Sequence, residues 1–183
     1  FFHAVDIMMK TLFRDQSTLI WLVLALSCTS AMAFAYYMQY VAGLEPCNLC
    51  MLQRMSMIAT GIFAWLGLFD SLLSQSRWQQ WRQITLGVFA SIAASSGLVL
   101  AARHVWLQHL PAERVPACGP PFDYLVEQFP MVQVVQDIFM GSGDCAKVDW
   151  QLFGLSMPEH LLWVFSALVA VSVWQTIRSA RRS

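Results

Sequence analysis

Cysteine dominates the chemistry open to this sequence. Cys47 and Cys50 stand two residues apart in Pro46-Cys47-Asn48-Leu49-Cys50, Cys118 and Cys145 follow separately, and Cys28 is the fifth. A Cys-x-x-Cys pair commonly serves thiol–disulfide exchange or metal binding. A purely structural bridge is a third reading, but one so short closes too small a loop to restrain much. A metal site needs a second close pair or histidines at ligand spacing. Cys118 and Cys145 stand alone, and His104 and His109 adjoin neither, so no metal is expected. Exchange fits best. The attacking species is a thiolate, and the surroundings of Cys50 suit one. Cys50 is expected in the first turn of a helix, where unpaired N–H groups and the helix dipole favour an anion. Arg54 follows at i+4 on the same face and adds a cation. The competing reading of Arg54 is a side chain reaching for lipid headgroups.

The other pair lies among chain breakers. Cys118 sits between Pro116 and Gly119-Pro120-Pro121, and Cys145 ends Gly141-Ser142-Gly143-Asp144-Cys145. A bridge between them would close a long loop, either as a staple or as a redox pair that must move. Two dithiols on one face suggest electrons handed from a mobile pair to an embedded one. The sequence has no GxGxxG, no CxxCH and no further cysteines for an iron–sulfur cluster. A lipid-soluble two-electron acceptor, a quinone, meets the remaining need. Arg54 would stabilise its reduced oxygen, and His104 would donate a hydrogen bond or proton; the plain alternative for His104 is an interfacial histidine. Cys28 reads as a small buried hydrophobe. His3, His109 and His160 are given no role.

The elements that must position these residues are apolar helices. Of 183 residues, 57% are hydrophobic and 12% charged, against roughly 45–50% and about 25% in soluble domains. That argues against disorder and against a soluble domain. Formal net charge is zero, so nucleic acid is a poor partner. Charge-poor runs at Leu19–Met38, from Arg54 to Phe69, Gln83–Ala102 and His160–Ile177 predict an all-α membrane protein. Its single domain, 1–183, is a four-helix bundle with spans at roughly 18–40, 50–70, 84–104 and 159–177. The first run is too long for a signal-peptide core and lacks a cleavage site, so a retained anchor is expected; Phe1 in place of Met points to a trimmed start.

Lys10, Arg14, Arg77, Arg82, Arg178, Arg181 and Arg182 flank the spans on one side, which places both termini in the cytoplasm. The outer side receives acidic loops at roughly 41–49 and 105–158. Within the long loop, Phe122–Phe129 and Met131–Met140 flank Pro130; Leu125, Val126, Phe129, Val134, Val135 and Ile138 recur at helical spacing. Such an amphipathic helix either lies in the membrane interface or packs on its own loop.

Pro46-Cys47-Asn48-Leu49-Cys50 with Arg54, then His104-Val105-Trp106-Leu107-Gln108, Pro116-Ala117-Cys118 and Ser142-Gly143-Asp144-Cys145 resemble the disulfide bond formation protein B (DsbB) family. Trp150 and Phe153-Gly154-Leu155-Ser156-Met157-Pro158 extend the likeness, which runs from the first span to the last. The resemblance implies a bacterial inner-membrane thiol oxidase that reoxidises the periplasmic, thioredoxin-fold oxidase DsbA and reduces ubiquinone or menaquinone. It implies that Cys118 is attacked by DsbA and that Cys145 is its disulfide partner. It further implies that Cys47 and Cys50 form the quinone-proximal pair, with Cys50, Arg54 and His104 at the quinone. A vitamin K epoxide reductase-like enzyme is the nearest rival, but its loop cysteines precede its Cys-x-x-Cys. A tetraspanin- or claudin-like scaffold is the non-enzymatic rival; Ala117-Cys118-Gly119 lacks the tetraspanin Cys-Cys-Gly and a scaffold gives no reason for Arg54 beside Cys50.

Overall fold

The computed structural model describes residues 16–73, 78–117, 119–120, 122–141, 143–146, 148 and 150–181, with 112, 123 and 144 described through their backbone alone. Cys118 lies outside the described residues, as do Lys10, Arg14, Arg77 and Arg182.

Among the described residues, four helices are long: α1 (Gln16–Tyr40), α2 (Asn48–Leu73), α3 (Gln79–Gln108) and, after the loop elements, α7 (Met157–Ala180). Each is long and apolar enough to cross a bilayer. The helices outrun the charge-free stretches because a charged side chain does not interrupt backbone hydrogen bonding. Arg103-His104 is therefore not the end of α3, which continues to Gln108. Real stops have other causes. Past α1, Gly43 adopts φ 70°, and the Leu44 N–H reaches back to the Met38 carbonyl at 3.1 Å, a glycine-dependent closure of the last turn. At the start of α7 the Glu159 carboxylate accepts the Ser156 N–H at 2.6 Å, half of a capping box.

Between α3 and α7 lie a 3-10 turn (Ala112–Arg114), α4 (Phe122–Gln128), α5 (Met131–Met140), α6 (Gly143–Ala146) and a hairpin of β1 (Gln151–Leu152) and β2 (Leu155–Ser156). The hairpin pairs Gln151 with Ser156 and Leu152 with Leu155.

The chain forms two compact units, to each of which all four long helices contribute. One holds the described residues of 16–33, 57–94 and 167–181. Its core includes Trp21, Leu24, Cys28, Met57, Ala64, Leu68, Ala90, Ala94 and Leu168. Small residues let the helices approach: a Cβ on Gly67 would meet the Trp21 ring at 2.5 Å. Trp21 Nε1 donates to Gln83 Oε1, while Gln83 Nε2 donates to the Gly67 carbonyl at 3.1 Å and to Asp70 Oδ2 at 2.8 Å. Arg82 completes the network on Asp70 Oδ1 at 2.7 Å. Cys28 is buried among apolar neighbours in this unit, consistent with a packing role.

The other unit spans the described residues of 34–56 and 95–166. Its core joins Leu49 of α2, Leu107 of α3, Leu125 of α4, Val134 and Ile138 of α5, and Cys145 of α6. Thus α5 packs one stripe on its own loop's core while Met131, Val132, Val135, Phe139 and Met140 stay exposed. Gly141 ends α5 at φ 87°, where a Cβ would also lie 2.4 Å from Leu107 Cδ1. Arg103 donates to the terminal carbonyls of α5, Phe139 O at 3.1 Å and Met140 O at 2.9 Å, groups that no helical N–H can reach.

Candidate functional site

The Cys-x-x-Cys pair sits at the start of α2. The Cys47 carbonyl accepts the Met51 N–H at 3.1 Å, which makes Cys47 the residue flanking the first turn and puts Cys50 inside it. That is where the sequence expected Cys50. Both are thiols with their sulfurs 3.0 Å apart, and both are half-buried.

His104 arrives from α3. It is 3% exposed, and its Nε2 lies 3.0 Å from the Cys145 carbonyl and 3.8 Å from Cys47 Sγ. A carbonyl only accepts, so Nε2 carries the proton in this arrangement; Nδ1 is then the acceptor facing Gln53 Nε2 at 3.5 Å. Gln53 is 1% exposed and its Oε1 has no hydrogen-bond partner among the described residues. One histidine thus touches the embedded pair and the backbone of a loop cysteine.

Cys145, whose Gly-rich flanks read as breaker-rich backbone, has a packed side chain. It is fully buried in the cluster of Leu49, Leu107 and Ile138, with Cys47 packed against the same cluster. The physical reason is the short helix α6, which turns the cysteine inward as a small hydrophobe. Cys118 itself is outside the described residues, but its neighbours are placed. The Ala117 carbonyl accepts the Gly143 N–H at 3.2 Å, and Asn48 Nδ2 donates to the Pro120 carbonyl at 3.1 Å. The chain on either side of Cys118 is therefore tied to the segment that leads into Cys145 and to the Cys-x-x-Cys itself.

Arg54 is tied to the neighbouring helix. Its guanidinium donates to Gln39 Oε1 and to the Ala35 carbonyl at 3.2 Å, both on α1, and lies 5.6 Å from the centre of the Tyr36 ring. Trp150 packs between Phe34 at 6.0 Å and His160 at 5.9 Å, so His160, assigned no role from its position in the chain, has a packing contact. Sequence reading missed Asn48, Gln39 and Gln53. The signal for Gln53 was there: an uncharged polar residue beside Arg54 within an apolar helix.

The geometry offers two proximate thiols, a third cysteine in contact with their cluster, a histidine bridging them and a fixed cation one turn along α2. Such a set suits disulfide chemistry at the end of a membrane helix. Comparison with known proteins agrees. Residues 17–175 match the family described as disulfide bond formation protein DsbB. The chain is 41% identical over 159 residues to the disulfide bond formation protein B of Psychrobacter sp., covering 85% of this chain and 90% of that one. With the protein of that name from Acinetobacter baumannii it shares 38% over 156 residues, 85% and 88% of the two chains. With that from Psychrobacter cryohalolentis it shares 37% over 174 residues, 93% and 94%. Four bilayer-length apolar helices, the cysteine geometry and a match spanning nearly all of both chains make this multi-pass membrane protein a disulfide-forming oxidoreductase of the DsbB family.

Proposed function

We propose that the protein reoxidises a DsbA-like, thioredoxin-fold dithiol oxidase and passes the electrons to a membrane quinone, ubiquinone or menaquinone. The observation that carries this reading is the convergence of Cys47, Cys50 and Cys145 around His104. In the reading, a thiolate of the soluble partner attacks Cys118 in a Cys118–Cys145 disulfide and forms a mixed disulfide, releasing Cys145 as a thiolate. The partner's second thiolate resolves that bond and leaves as a disulfide, while two electrons remain here as dithiol. Exchange with a Cys47–Cys50 disulfide moves that pair of electrons to the membrane end. Reoxidation of Cys47 and Cys50 to a disulfide then gives up two electrons and two protons, which a quinone takes as it becomes quinol.

The residues present suit a quinone. Among the described contacts Arg54 uses two of its five N–H groups, which leaves donors for a carbonyl oxygen beside Cys50. Tyr36 adds an aromatic face and His104 a polar edge. The basic residues Arg82, Arg178 and Arg181 support an orientation with both termini cytoplasmic and the cysteine-bearing loops periplasmic in the bacterial inner membrane.

The test uses purified protein in detergent with reduced DsbA and ubiquinone. Cys47→Ser and Cys50→Ser are expected to abolish quinone reduction while the protein remains folded. A DsbA variant retaining only its attacking cysteine is expected to trap a covalent complex that Cys118→Ser eliminates. A complex that survives Cys118→Ser but disappears with Cys50→Ser would reverse the order of electron flow.

A further inference from the structure

Along the chain, Cys47 and Cys50 have no third metal ligand nearby, but the fold supplies one. Sγ of Cys47, Sγ of Cys50 and a ring nitrogen of His104 all lie within 4.8 Å of one another. We propose that the reduced Cys47–Cys50 pair and His104 form a binding site for a soft divalent cation, best matched by Zn2+, and that loading it holds the pair out of disulfide chemistry.

Geometry supports the assignment. With Zn–S near 2.3 Å and Zn–N near 2.0 Å, tetrahedral ligand atoms stand roughly 3.5–3.8 Å apart. Cys47 Sγ and His104 Nε2 are already 3.8 Å apart. The two sulfurs, at 3.0 Å, need to separate by less than about 1 Å to reach that spacing. Three protein ligands leave the fourth position to water, the pattern of an open rather than a sealed zinc site.

Gln53 is an independent pointer. A histidine that binds metal through Nε2 carries its proton on Nδ1 and needs an outer acceptor to hold that proton. Gln53 already faces Nδ1 at 3.5 Å, through its amide nitrogen. Its carbonyl oxygen is buried and has no partner among the described residues. Once the ring proton moves from Nε2 to Nδ1, a half-turn of the amide presents that orphan acceptor to Nδ1–H, and this tautomer leaves the Nε2 lone pair for the metal. The Gln53–His104 couple therefore has two arrangements, one that bonds the Cys145 carbonyl and one that ligates.

Binding moves no electrons. Two thiols each give up one proton to solvent, and two sulfur–metal bonds and one nitrogen–metal bond form. The metal-held thiolates cannot join as a disulfide until the ion leaves, so Zn2+ acts on the reduced form alone. That inhibitory consequence rests on the proposed function; the binding does not.

Co2+ is the probe, read by absorption. The full chain carrying Cys118→Ser and Cys145→Ser, reduced and freed of reductant without oxygen, is titrated in detergent. One equivalent is expected to bind, with a thiolate-to-cobalt charge-transfer band and the intense visible bands of four-coordinate cobalt, and Zn2+ should displace it. Cys47→Ser should abolish the charge-transfer signal, and Cys28→Ser should leave it intact. His104→Ala and Gln53→Ala should each weaken binding by roughly tenfold or more. His104→Asn, which keeps a donor for the Cys145 carbonyl, separates ligand loss from a folding defect and should bind as weakly as His104→Ala. Substoichiometric binding, a six-coordinate spectrum or an affinity indifferent to the substitutions at Cys47, His104 and Gln53 overturns the site. Wild-type protein that reduces quinone yet binds no cobalt when reduced overturns only the metal site. Stoichiometric binding by protein that reduces no quinone overturns only the proposed function.

Discussion

Arg54 is held from α1, by Gln39 and by the Ala35 carbonyl, although it belongs to α2. A guanidinium fixed on two sides keeps its charge and its remaining donors in one place, which a mobile lysine would not do. On the proposed reading, Arg54→Ala raises the apparent quinone KM by roughly tenfold to a hundredfold, the loss of about 1.5–3 kcal/mol for a charge-assisted hydrogen bond. Gln39→Leu, which leaves the cation but removes a tether, is expected to raise it by less. Steady-state kinetics at varied ubiquinone decides the matter: unchanged KM in Arg54→Ala removes the arginine from the quinone site. The neighbouring residues show what a sequence carries and what it does not. Cys50 in a first turn and Arg54 one turn on were legible because both follow from local spacing. The contact of His104 with Cys47 spans 57 positions, and only tertiary packing creates it.

At the scale of elements, close approach depends on residues without side chains. A Cβ on Gly97 would fall 2.1 Å from Cε1 of Phe165, a ring with no solvent exposure. Gly97→Ala is therefore expected to destabilise the protein by about 1–3 kcal/mol, since the overpacked ring must leave its rotamer. Adding Phe165→Leu should recover part of that loss, because the clash is gone in the double variant. Thermal unfolding in detergent measures both, and equal losses in the single and double variants would assign the effect elsewhere. The long helices themselves were readable from runs free of charge. Their ends were less so. Arg103 looked like a terminus because it is charged; it instead sits within α3 and caps the carbonyls of α5, a partner that no periodicity names. The burial of Cys145 was hidden for a similar reason, since glycine-rich flanks predict a loop but not what the loop packs on.

For the whole molecule, the proposed orientation makes a direct statement about sides. In a variant stripped of its five native cysteines, a cysteine at the exposed Glu113 should react with a membrane-impermeant maleimide in cells whose outer membrane is permeabilised. One at the exposed Arg181 should react only after the inner membrane is opened. The reverse pattern would invert the topology. Both expectations follow from the charge pattern, which decides orientation before any packing exists. The long span α3 carries a further consequence. Its 30 residues amount to about 45 Å at 1.5 Å per residue, against a hydrocarbon layer of about 30 Å. The uncharged stretch from Ile84 to Ala102 is about 28 Å long and matches that layer, so Arg82 and Gln83 mark one border and Arg103 and His104 the other. If the hydrocarbon layer spans that stretch, His104, with the thiols beside it, falls at the boundary between acyl chains and headgroups. A thicker bilayer would draw that boundary over the histidine, and a thinner one would hydrate it, so the lipid chain length of the host membrane sets how wet this chemistry is.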